Sequence, residues 1–192
     1  MKRGLGAMIG VIVVLALIII PLLSSYNGFI QAEENVEQKH SQIENQLQRR
    51  ADLIPNLVNT VKGYAAHEED VLGDIAEARS RLIGANSVQE QAEADDSLSN
   101  ALSRLLVIAE NYPELKADKQ FTQLMDELAG TENRISVARM DYNEEVTNYN
   151  KRVRQFPSRI VASIFGFDTR EYFQAQEGAE EAPNVDFEGT GD

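Results

Sequence analysis

Few residues in this chain have the types and spacing that chemistry needs. His67-Glu68-Glu69-Asp70 is the densest run of candidate ligands. A zinc-protease helix carries a second histidine one turn on, in the pattern H-E-x-x-H, so that both imidazoles face the metal. Val71 stands at that place, and His40, the other histidine, lies far away along the chain. The run therefore reads as an acidic helix start, favoured by the helix macrodipole. The alternative is an envelope hydrolase or metal-dependent enzyme using the carboxylates near His67. Adjacent carboxylates at Glu33/Glu34, Asp95/Asp96 and Glu144/Glu145 do not face each other on a helix and read as solvated surface. A di-iron bundle needs Glu-x-x-His on two helices, and none is present. The absence of cysteine removes thiol nucleophiles, disulfides and Cys-ligated metals. There is no P-loop, no G-x-G-x-x-G and no G-x-S-x-G. No catalytic, metal-ligating or cofactor-binding residue is assigned, no cofactor is expected, and the protein is read as a non-enzyme.

Two other patterns remain. Tyr142-Asn143 and Tyr149-Asn150 repeat at a spacing of seven, two helical turns, so both pairs project from one face. One reading is a polar face that recognises a partner. The other is that the asparagines bond within a bundle and fix helix register, as a buried Asn does in coiled coils. Just after them come Lys151, Arg152, Arg154 and Arg159, then a short apolar stripe at Ile160, Val161, Ile164 and Phe165. That stretch is either a cap on the bundle or an amphipathic segment lying on lipid.

The elements that must carry these residues are helical. The formal net charge of -13 and the pI near 4.6 argue against a nucleic-acid partner, because phosphate binding needs a basic face. From Gly4 to Leu23 no charged residue occurs. Twenty helical residues rise about 30 Å, the thickness of a hydrocarbon core. A cleaved signal peptide has a shorter apolar run and a small-x-small site, which the following Leu-Leu-Ser-Ser lacks. Residues 1–25 are therefore read as a transmembrane anchor. Lys2 and Arg3 before it place the N-terminus in the cytoplasm and the main domain outside.

Beyond the anchor, apolar residues recur with helical spacing. One stripe holds Val36, Ile43, Leu47, Ile54, Val58, Val61 and Ala65. Pro55 interrupts it, either kinking one helix or starting a new one capped by Asp52. A second helix, from about His67 to Ile83, carries Val71, Ile75, Ala78 and Leu82 and stops at Gly84. Ser87-Val88-Gln89-Glu90 fits a capping box for a third, with Leu98, Leu102, Leu105 and Ala109, ended by Pro113. Asp118 caps the fourth, whose stripe is Phe121, Leu124, Leu128, Ile135, Ala138, Tyr142, Val146, Tyr149 and Val153. The fold class is all-α: an N-terminal transmembrane helix, then an antiparallel four-helix bundle of long helices over residues 26–170. Residues 171–192, with seven acidic side chains and no basic one, read as a disordered tail.

The run Gln46 to Val58 (QLQRRADLIPNLV) resembles the signature of the LemA family. So do Val61 to Glu68 (VKGYAAHE), Ala109 to Ala117 (AENYPELKA) and Gly130 to Ile135 (GTENRI), with Asp141-Tyr142-Asn143, Tyr149-Asn150 and Phe156-Pro157. The resemblance covers Tyr26 to Phe187 and leaves the linker at Ala85 to Asp95 and the acidic end individual. It implies a single-pass bacterial inner-membrane protein with an antiparallel helical bundle and no established active site. It further implies links to envelope stress and, in one branch, to the formation of magnetosome membranes. The expected function is a non-enzymatic scaffold or adaptor of the cell envelope, with the lipid bilayer and an envelope protein as partners. The interaction face would be Tyr142, Asn143, Tyr149 and Asn150. The lipid contact would be Lys151, Arg152, Arg154, Arg159, Ile160 and Phe165.

Overall fold

One helix, α1, runs without interruption from Lys2 to Lys62, through Pro21 and Pro55. The computed structural model describes residues 2–65 and 67–174. Helix α1 therefore carries both the apolar N-terminal segment and the first helix of the bundle. It is long and apolar enough to cross a membrane, and Leu17 and Ile20 on it are exposed. Pro55 neither stops the helix nor starts a new one. Proline removes one N–H and so frees the carbonyl four residues back, which here belongs to Ala51. Arg79 Nε donates to that carbonyl at 2.8 Å, so the lost bond is replaced from outside the helix. Asp52 caps nothing and instead accepts from Gln48 one turn earlier.

The remaining elements are α2 (Glu69–Gly84), α3 (Val88–Ala109), the single turn α4 (Pro113–Lys116), α5 (Lys119–Arg154) and α6 (Ser158–Phe165). Their ends follow local chemistry. At α3, the Ser87 hydroxyl accepts from the Glu90 amide at 3.1 Å while the Glu90 carboxylate accepts from the Ser87 amide, completing the capping box. Pro113 opens α4 at its first turn, where a missing N–H costs nothing. The Asp118 carboxylate accepts from the Phe121 amide at 2.8 Å and caps α5. Those backbone bonds hold the Asp118 carboxyl below its ordinary value. Helix α6 ends on Gly166, whose φ of 76° is left-handed and therefore suits glycine.

Helices α1 and α5 form a long antiparallel pair, tied at Lys39–Asp141 and again where Arg152 reaches the Gly28 carbonyl. The α2–α3 hairpin packs on the distal part of that pair, completing a four-helix bundle there. Ile43, Ile54, Leu57, Val61, Ile75, Leu98, Leu105, Leu115, Ile135 and Val146 are buried in one continuous core. Each such side chain contributes about 1.5–3 kcal/mol of hydrophobic stabilisation. The sequence stripes lie on the buried faces, with Val58 and Val153 half-buried at their edges. Because α2 and α3 are short, they leave the proximal half of the α1–α5 pair uncovered. Helix α6 and an extended segment, residues 167–174, cover it. Residues Glu171 to Gln174, expected as the start of the tail, are docked here, held by side chains that their own composition does not reveal. The rest of that expected tail, 175–192, lies outside the described residues.

Candidate functional site

The extended segment lies along α5 and is held by the Tyr-Asn pairs. Asn150 donates its amide N–H to the Arg170 carbonyl at 2.9 Å and accepts the Arg170 N–H at 2.8 Å. Asn143 does the same to Phe173, at 2.9 and 2.8 Å. Between them, Tyr142 Oη donates to the Glu171 carbonyl at 2.9 Å. An Asn side chain has one acceptor and one donor group side by side, the same pair a backbone peptide offers in a β-ladder. Seven residues of helix rise about 10.5 Å, and residues three apart in a chain with about three residues per turn face the same side about 9 Å apart, so a segment of that twist keeps both clamps in step.

Side chains add to the clamps. Arg170 pairs with Glu33 on α1. The Phe173 ring is buried, and the Arg139 guanidinium lies 4.5 Å from its centroid. Phe167 stacks on Phe29 at 4.7 Å and meets Tyr26 at 5.7 Å. Tyr142 and Tyr149 are only 3% and 1% exposed, and burial pushes both phenols up from their ordinary values. The four residues offered as a possible recognition face are brought together, and the two asparagines and Tyr142 bond to residues 170–173 of their own chain. The asparagines bond within the fold; their partners are the backbone of residues 170 and 173, not a neighbouring helix. Three aromatics among residues 167–173 were the sequence signal for this docking, hidden by the acidic composition that follows.

The expected lipid-contact residues lie at the proximal end. Lys151, Arg154 and Arg159 are exposed, while Arg152 is engaged by the Gly28 carbonyl. Arg152 comes so near that a Cβ on residue 28 would meet its guanidinium, so glycine gives that side chain room. On α6, Val161 and Ala162 face inward, whereas Ile160, Ile164 and Phe165 are exposed; Phe156 just before it is 83% exposed. Phe165 lies 4.8 Å from Tyr26, so this apolar surface adjoins α1 where the apolar segment meets the bundle.

A buried charge cluster escaped the sequence reading. Asp95, expected on a solvated face, is fully buried. It pairs with Arg50 through one oxygen and with Arg139, at 2.6 Å, through the other. Arg50 also donates to Ser99 at 3.0 Å and lies 2.6 Å from Glu132. Burial pushes the Asp95 carboxyl up from its ordinary value, and the two guanidiniums pull it back. The cluster joins α1, α3 and α5, and Arg139 extends it to Phe173. Its signal lay in the spacing. Ile43, Leu47, Arg50, Ile54, Leu57 and Val61 form an unbroken heptad stripe, with Arg50 at a core position. His67 is exposed in the turn between α1 and α2, and Glu68 accepts from Tyr112 Oη at 2.9 Å. Among the described residues no group of three or more His, Asp or Glu could hold a metal ion.

The family profile described as LemA family matches residues 39–187. Magnetosome protein MamQ 2 of Paramagnetospirillum magneticum is 30% identical over 179 residues, covering 80% of this chain and 66% of the relative. MamQ of Magnetospirillum gryphiswaldense is 30% identical over 201 residues, covering 90% and 74%. Protein LemA of Metamycoplasma hominis is 26% identical over 155 residues, covering 79% and 69%. With the family profile spanning most of the bundle, the chain belongs to the LemA family.

Proposed function

We propose that the protein is a membrane-anchored, non-enzymatic scaffold of the bacterial cell envelope, holding its bundle at the outer face of the inner membrane. The observation that carries this reading is the exposed apolar surface of Phe156, Ile160, Ile164 and Phe165, set beside Tyr26 on the helix that carries the apolar segment. A lone exposed aliphatic residue needs no explanation, but four at the base of the bundle do. Lys151, Arg154 and Arg159, all exposed, neighbour that surface in sequence, and basic groups attract anionic headgroups by about 1 kcal/mol each. The bundle thus rests on lipid through α6 while α1 spans it. The LemA family and the MamQ relatives support a bacterial setting. The folded bundle distal to this contact offers rigid helix faces for an envelope protein partner.

The test uses the full chain in vesicles containing anionic lipid. An environment-sensitive label at Ile164→Cys, unique because the chain has no native cysteine, is expected to be quenched by headgroup-level quenchers. Replacing Lys151, Arg154 and Arg159 with Gln weakens that quenching. A label that stays fully solvent-accessible overturns the lipid contact. In intact cells, an impermeant maleimide should reach Asn86→Cys from outside; labelling only after lysis reverses the orientation.

A further inference from the structure

The clamps on α5 read backbone, not side chains. Asn143 and Asn150 each hold one N–H and one C=O of an extended segment, and a helix that does this is built as a site for an extended peptide. Selectivity comes from two places, Glu33 for an arginine and the Arg139 guanidinium for an aromatic ring three residues later. The segment filling the site keeps most of its side chains in solvent. Apart from Phe173 and the half-buried Phe167, its side chains are exposed. Segments with few buried contacts open at the low end of a protein's local stability.

We propose that this groove is an exchangeable peptide site, filled in cis by residues 167–174 and in trans by the same segment of a neighbouring copy. The clamp bonds and the Glu33 and Arg139 contacts made in cis can be re-made in trans, and the backbone bond given up at the joint is that from the Phe167 N–H to the Ala162 carbonyl. The segment departs from α6 at Gly166, whose φ of 76° marks a joint that carries no Cβ penalty on rearrangement. The proposal rests on the membrane reading of α1 in one respect: copies held in one bilayer keep their grooves at one height, which raises their effective concentration. Exchange makes the LemA-type bundle a linking unit, each copy handing its segment to the next.

Two single-cysteine full-length chains with different tags, Thr147→Cys and Tyr172→Cys, are reconstituted together in vesicles and treated with a short bis-maleimide. Thr147 Oγ1 and Tyr172 Oη lie 3.4 Å apart in the docked state, so a chain carrying both substitutions reports the cis contact. The expected result is a mixed-tag dimer, enriched about tenfold over a control in which Asn148→Cys replaces Thr147→Cys, because only the groove concentrates the segment. Asn143→Ala with Asn150→Ala in the Thr147→Cys chain abolishes it, with helicity unchanged. Absence of the mixed dimer, or equal yield from the control, overturns exchange. Failure of the double-cysteine chain to crosslink in cis overturns the groove itself. Co-flotation of the same samples reads the membrane contact separately. Should the chain not float, the same pair crosslinked in concentrated solution still decides the exchange.

Discussion

Arg79 Nε donates to the carbonyl of Ala51 at 2.8 Å, filling the acceptor that Pro55 leaves empty four residues on. The proline inside α1 thereby becomes a docking point for α2. Arg79→Ala leaves a buried carbonyl without a partner, at a cost of about 1–3 kcal/mol. In the Pro55→Ala background the residue 55 amide can serve Ala51, so the same Arg79 substitution should cost much less. A double-mutant cycle on urea midpoints checks this; two additive losses would refute the link.

Asp95→Ala should be among the most damaging single changes. It leaves the Arg50 and Arg139 guanidiniums facing each other in the core, and breaking a buried pair by removing one partner costs about 3–5 kcal/mol. Thermal melting followed by circular dichroism measures it. A variant that melts like the parent would mean the carboxylate is not what holds the two arginines.

Leu57→Asp or Leu105→Asp should unfold the bundle, since an unpaired buried carboxylate costs several kcal/mol, comparable to the whole stability of a domain this size. Both leucines are fully buried. Glu44→Ala, on an exposed position, should be nearly silent.

Asn150→Asp keeps the shape of the side chain and exchanges its donor for a second acceptor opposite the Arg170 carbonyl. The segment should detach while the bundle stays folded. Limited trypsin digestion should then cut after Arg170 faster than in the parent, with the far-UV spectrum unchanged. Unaltered cleavage would show that Asn150 does not hold the segment.

The Asp118 cap predicts a pH effect. Its carboxyl lies below the ordinary value of 3.8 in the folded chain. Its contribution is therefore present above that value and lost as the pH falls through the lower folded one. Asn also caps helices but does not titrate there. The stability difference between the parent and Asp118→Asn should be largest at neutral pH and close on acidification. A difference independent of pH would assign the cap to geometry alone.

The sequence by itself determined the helices and their buried faces. Helical periodicity of Leu, Ile and Val, the Ser87–Glu90 box, the Asp118 cap and the stop at Gly84 are local signals, and local chemistry dictates them. The apolar run of α1 and the LemA motifs were legible for the same reason. Only the tertiary structure decided whether Pro55 breaks α1, because the answer depends on Arg79, which reaches it from another helix. The environment of Asp95 was equally out of reach. A carboxylate next to Asp96 looks solvated until Arg50 and Arg139 arrive from α1 and α5 to neutralise it. The Tyr-Asn repeat announced one shared face of α5 but not what lies on it. Its partner is the backbone of residues 170–173, and a main chain has no sequence signature. That an acidic-looking end is instead docked follows from the shortness of α2 and α3. They leave half of α5 bare, and apolar and aromatic surface left bare is covered by whatever segment can reach it.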